Sequence, residues 1–185
     1  MAKINLGLDV LGKREDGYHE VRMIMQTIRM YDILDIRKTR RPGIVLTTNL
    51  PFIPTDQRNL VYKAAQMLME EFDVEEGLSI KLRKFIPVAA GMAGGSSDAA
   101  AAFVGVNRMF HLGLTEEQLM ERAVKVGADV PYCIMRGTAL AEGIGEKLTR
   151  LPGLPKCYVL VGKPGINVST KLAYENLHLD QIQSH

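Results

Sequence analysis

Pro87-Val88-Ala89-Ala90-Gly91-Met92-Ala93-Gly94-Gly95-Ser96-Ser97-Asp98-Ala99-Ala100 is the stretch on which the reading of this chain turns. It holds almost nothing bulky. An alternating segment, Leu78 to Arg83, runs up to it and reads as a strand. A small-residue run, Ala99 to Ala102 with Phe103, Val104 and Val106, follows it and reads as a tightly packed helix. Small residues let backbone N–H groups approach an anion closely. Ser96 and Ser97 add hydroxyl donors, and a helix N-terminus adds its dipole. The segment Pro87 to Ser97 is therefore predicted to cradle phosphate. It is not a Walker A loop, because no Gly-Lys-Ser/Thr follows, and it lacks the Gly-x-Gly-x-x-Gly dinucleotide spacing. The plainer alternative is a tight turn packed against a neighbouring helix. Asp98 either pairs with the helix dipole or binds a metal near the phosphates.

Outward from this loop, elements alternate. Ile4 to Val10 reads as a half-buried strand with Ile4, Leu6, Leu8 and Val10 on one side. Asp16-Gly17 marks a turn. Val21 to Tyr31, Asp32 to Lys38 and Ile44 to Thr48 read as strands, with a basic turn over Arg37-Lys38-Thr39-Arg40-Arg41-Pro42-Gly43. Leu60, Ala64, Leu68 and Phe72 give a helix capped by Asp56 or Asn59. Thr115-Glu116-Glu117-Gln118 is a capping box opening a helix that ends at Gly127. Arg136 to Leu151 reads as strand, turn and strand around Gly143-Ile144-Gly145. Leu151-Pro152-Gly153-Leu154-Pro155 reads as a linker. Cys157 to Val161 is expected to be a buried strand, and Val168 to Leu177 a short helix.

The 185 residues suggest one domain, or one domain plus part of a second. With 23 basic and 21 acidic residues the formal charge is +2, which gives no footing for nucleic acid or an anionic membrane. No segment reaches the ~18 apolar residues of a membrane helix, and the first residues lack a signal-peptide layout. Two cysteines make no disulfide framework, so the expected compartment is the cytoplasm.

Ala2-Lys3-Ile4-Asn5-Leu6-Gly7-Leu8, Asp16-Gly17-Tyr18-His19-Glu20, Pro87 to Ala100 and Gly127-Ala128-Asp129-Val130-Pro131 occur in the order found in the GHMP kinases, which the chain resembles over nearly its whole length. Gly-Tyr-His-Glu is similar to the branch acting on a cytidine-diphosphate-linked methylerythritol in non-mevalonate isoprenoid synthesis. The resemblance implies an α+β fold: a ribosomal-protein-like N-terminal domain over residues 1–154, then the truncated start of a ferredoxin-like domain over 155–185. It implies ATP and Mg²⁺ as cofactors, with ATP on Pro87, Val88, Ala89, Ala90, Gly91, Met92, Ala93, Gly94, Gly95, Ser96 and Ser97.

Lys3 and Asp129 match the lysine and aspartate that flank the hydroxyl to be phosphorylated. Tyr18, His19 and Tyr174 match a clamp on the cytosine ring, and Asn5 a substrate contact beside Lys3. Read from composition alone, Lys3 would be a surface residue and Asp129 a turn residue. The partner expected is that small-molecule substrate, together with self-association through the C-terminal segment. The rivals are another small-molecule kinase of the superfamily, lacking the clamp, and a non-enzymatic RNA-binding domain of the same fold. The small net charge counts against the second.

Overall fold

In a computed structural model, residues 1–163, 165, 176 and 177 are described. Among the described residues, eleven elements run β1 Lys3–Lys13, β2 His19–Thr27, β3 Ile33–Thr39, β4 Ile44–Thr48, α1 Leu60–Glu71, β5 Gly77–Arg83, α2 Gly94–Met109, α3 Glu116–Ala123, α4 Val130–Met135, β6 Thr138–Gly143 and β7 Lys147–Leu151. They build two sheets. One is antiparallel, in the order β1-β2-β6-β7. The other has the order β3-β5-β4, with β4 parallel to β5 and β3 antiparallel to it. The mixed α and β content agrees with the expected fold class.

The helices pack with strands of both sheets around one core, because each element has an apolar side to bury. Met23 and Met25 of β2, Ala139 and Ala141 of β6, and Leu78, Ile80 and Leu82 of β5 point into one core with Phe103 and Val106 of α2. Fully burying a side chain of this size stabilises by about 1.5–3 kcal/mol relative to leaving it exposed. The small residues of α2 allow close approach: a Cβ on Gly105 would stand 2.7 Å from Ile36 Cδ1 of β3. Asn59 caps α1, its Oδ1 accepting from Val61 N–H, and Thr115 and Gln118 form the expected capping box on α3.

Three expectations need correction. The alternation of β1 does not bury Leu6 and Leu8, which are exposed, whereas Lys3 is buried. The register slips between Asn5 and Gly7 and again between Val10 and Gly12, so the side-chain period of two breaks at Leu6. Second, β2 ends at Thr27 rather than continuing to Tyr31. Third, residues 157–161 are neither strand nor buried; Tyr158 and Leu160 are fully exposed. An apolar run becomes a buried strand only where another strand takes its backbone, and no described strand pairs with it. The helix expected over Val168 to Leu177 lies almost wholly outside the described residues.

α4 ends under strain. Arg136 follows it with φ 60° and ψ 179°, a region used almost only by glycine, and its amide donates to Tyr132 C=O. Such a residue costs about 1–3 kcal/mol, partly offset in a glycine by added freedom of the unfolded chain. Arg136→Gly is expected to stabilise by about 1 kcal/mol, raising the melting temperature by roughly 2–4 °C. Thermal unfolding of the two proteins checks this; a lower melting temperature would contradict it.

Candidate active site

Between the end of β5 and the start of α2, the chain Pro87 to Ala93 folds over an open cavity of about 620 Å³. Ala89, Gly91 and Ala93 all have positive φ, at 54°, 70° and 52°. Alternation of this kind turns successive N–H groups to one side and makes an anion-binding nest. Two of these residues are alanines held in a left-handed conformation, and such strain collects at functional sites. Ala93 is the N-cap of α2 and offers no side-chain hydrogen bond, so the helix start has no acceptor of its own there. The loop is held from below. Met92 packs with Ala2 and Ile86, and its C=O accepts from Lys3 N–H at 3.1 Å.

That backbone bond sets Lys3 at the rim of the loop. Its Nζ donates to Asn5 Oδ1 at 3.0 Å and lies 3.7 Å from Asp129 Oδ2. Asp129 is the N-cap residue of α4 and makes no side-chain cap bond, so its carboxylate is left for the cavity. The lysine is buried and the aspartate about a third exposed, so Asp129 faces the side from which a ligand arrives. Behind the pair, Tyr132 Oη donates to Gly137 C=O at 2.7 Å and lies 3.0 Å from Thr27 Oγ1. Thr27 is the cross-strand partner of Lys3. This network ties α4, and hence Asp129, to the strand pair that carries Lys3.

The structure brings together Lys3, Asn5, Asp129 and every loop residue from Pro87 to Ser96 as walls of one cavity. Ser97 is not on that wall; it is buried, and its Oγ accepts from the Met1 ammonium at 2.7 Å. Tyr18 and His19 stand at the far end of the β1–β2 hairpin, Tyr18 exposed in the turn and His19 opening β2 opposite Lys13. Tyr174 lies outside the described residues. Sequence reasoning missed Asn59 as a cavity residue, although it was a cap candidate, and missed Lys84 altogether. A lone lysine before a proline-containing loop carries no signal; its importance comes from partners far away in the chain.

Lys84 Nζ is buried between Asp32 Oδ2 and Asp98 Oδ2, the latter at 2.7 Å. Asp32 also accepts from the amides of Phe85 and Ile86. Burial alone would raise its pKa, but the Lys84 ammonium and these amides together hold it below the usual carboxylate range. Asp98 behaves oppositely: burial pushes its pKa up to about 7, against the pull of Lys84. Between about pH 4 and 7 the folded chain therefore holds a proton that the unfolded chain has released. Stability is predicted to fall as pH rises through that window, and Asp98→Asn to flatten the fall. Denaturant titrations at several pH values check the slope; equal slopes would contradict the assignment.

Comparison with known proteins agrees with this geometry. Residues 59–137, which include the loop, α2 and Asp129, match the family described as GHMP kinases N terminal domain. The chain is 55% identical over 184 residues to the 4-diphosphocytidyl-2-C-methyl-D-erythritol kinase of Lachnospira eligens, covering 100% of this chain and 64% of that protein. It is 57% identical over 184 residues to the enzyme of the same name from Lachnoclostridium phytofermentans, covering 100% and 63%. A crystal structure of 4-(cytidine 5'-diphospho)-2C-methyl-D-erythritol kinase superposes with a TM-score of 0.82 at 32% identity, over 99% of this chain and 65% of that one. The chain thus spans about 64% of the length of the curated relatives it matches. Among the described residues, no helix is long and apolar enough to cross a membrane.

Proposed function

We propose that this GHMP kinase domain belongs to a 4-diphosphocytidyl-2-C-methyl-D-erythritol kinase, transferring the γ-phosphoryl of ATP to the 2-hydroxyl of its substrate in isoprenoid synthesis. The observation that carries the reading is the Lys3–Asp129 pair standing on the same cavity as the nest of Pro87 to Ser96. The triphosphate sits on the loop, where small residues and the start of α2 offer donors without bulk. The acceptor hydroxyl lies between loop and Asp129. As its oxygen attacks the γ-phosphorus, its proton passes to the Asp129 carboxylate and the bond to the β-phosphate oxygen breaks, releasing ADP. Lys3 holds Asp129 in place and stabilises the charge on the attacking oxygen.

The cytosine end of the substrate reaches Tyr18 and His19 at the hairpin tip. Stacking on the ring of Tyr18, and of Tyr174, gives affinity, and hydrogen bonds to the base edge give selectivity. Asn5, bonded to Lys3, is the substrate contact nearest the reacting hydroxyl.

Mg²⁺, which the family implies, finds no ready cage: the described residues hold no group of three or more metal-ligating side chains. Mg²⁺ would keep much of its water and bind through the nucleotide phosphates, supplying charge neutralisation there. Residues 1–154 form the ATP-binding domain and 155–185 begin a second one. The exposed run Tyr158 to Val161 is a contact for that second domain or for another copy of the chain. The protein works in the cytoplasm, where its two cysteines stay reduced.

Transfer of labelled phosphate from γ-labelled ATP tests the reading, with the cytidine-linked methylerythritol, homoserine and mevalonate offered separately. Label is expected on the cytidine-linked acceptor alone. Label on one of the others instead would assign the domain to a different branch.

A further inference from the structure

The cavity floor carries a charge cluster that the phosphoryl transfer does not use. Asp32 and Asp98 share the single buried ammonium of Lys84, so the fully ionised cluster holds one excess negative charge. Asp32 is fully engaged, through Lys84 and two backbone amides. Asp98 is not: its Oδ2 meets Lys84, while its Oδ1 is buried and has no donor. A buried carboxylate oxygen without a partner is costly, and neutralising it removes much of that cost. The cluster lies directly beneath the loop. A Cβ on Gly94 would stand 3.1 Å from Lys84 Nζ, and both Lys84 and Asp98 reach the cavity wall.

Few other ionisable groups face Asp98. Lys84 comes from the end of β5 and Asp32 from the approach to β3. The Met1 ammonium stands beside α2, bonded to Ser97 Oγ. Cys133 approaches from α4, and burial pushes its thiol up to about 12, so it remains neutral. On the wall, Lys3 and Asp129 offset each other.

We propose that binding of a nucleoside triphosphate on the loop is coupled to uptake of a proton by Asp98. This rests on the loop being the triphosphate site. A polyanion placed above a buried excess negative charge is repelled in a medium of low dielectric. A proton on Asp98 removes the excess charge, leaves Lys84 paired with Asp32, and converts the partnerless carboxylate into a neutral acid. Burial has already moved Asp98 to about 7, so the proton is available near neutrality.

The test is calorimetric titration of the 185-residue chain with Mg²⁺-ATP near pH 7.5, in buffers of different ionisation enthalpy. The slope of heat against buffer enthalpy counts the protons exchanged. Uptake of roughly half a proton or more per nucleotide is expected, with affinity weakening about three- to tenfold from pH 7 to 8. In Asp98→Asn the uptake should vanish and the affinity become nearly independent of pH over that range. Nucleotide binding by the original chain without proton uptake overturns the coupling while leaving the triphosphate site intact. Unaltered uptake in a folded Asp98→Asn chain overturns the assignment to Asp98. Absence of any binding overturns the triphosphate site and the coupling together. If Asp98→Asn does not fold, the proton count of the original chain still decides.

Discussion

Lys84→Met should lower the melting temperature by roughly 6–20 °C. The substitution keeps an unbranched, slightly shorter side chain and removes the charge together with its hydrogen bonds to Asp32 and Asp98. Asp32 and Asp98 are then left buried with no cation between them. Removing one partner of a buried pair costs about 3–5 kcal/mol, because the remaining charge stays uncompensated. For a chain of this size each kilocalorie moves the melting temperature by about 2–4 °C. The loss should be smaller near pH 5 than near pH 8, since Asp98 gains its proton as the pH falls. Lys84→Met combined with Asp98→Asn should recover part of the loss, because only one carboxylate then remains. Scanning calorimetry on the three proteins decides it. A single variant as stable as the original would mean the cluster contributes nothing to the fold.

Asp129→Asn should slow the chemical step about 100-fold or more while ATP and acceptor still bind. The amide fills the same space but cannot take the hydroxyl proton. Asp129 makes no cap bond on α4, so the exchange removes no structural contact beyond the Lys3 pairing. The loss should therefore appear in the single-turnover rate and leave the melting temperature within a degree or two. Near-normal turnover would remove Asp129 from the mechanism.

The loop was legible because its signal is local: small residues between an alternating strand and a packed helix. The caps on α1 and α3 were legible for the same reason, each lying within three residues of its helix. α4 was not. All six residues from Val130 to Met135 are buried, so they show no apolar face and no period. Lys3 shows the limit of pattern reading in a strand. An alternation drawn through Ile4, Leu6 and Leu8 makes it a surface residue, yet a bulge at Leu6 reverses the face and buries it. Its pairing with Asp129 could be anticipated only from resemblance to a family. The Asp32–Lys84–Asp98 cluster joins positions 52 and 14 residues apart, and no local rule connects them. The run at 157–161 failed in the opposite sense, since apolar composition alone did not bury it.

Amide chemical shifts of the isotope-labelled chain during titration with Mg²⁺-ATP test the central claim most directly. If the nest at the start of α2 is the triphosphate site, Gly91, Gly94, Gly95 and Ser96 should show the largest displacements, saturating together with the calorimetric binding curve. Nucleotide that binds while these four amides stay still, with the shifts falling elsewhere on the chain, would contradict it.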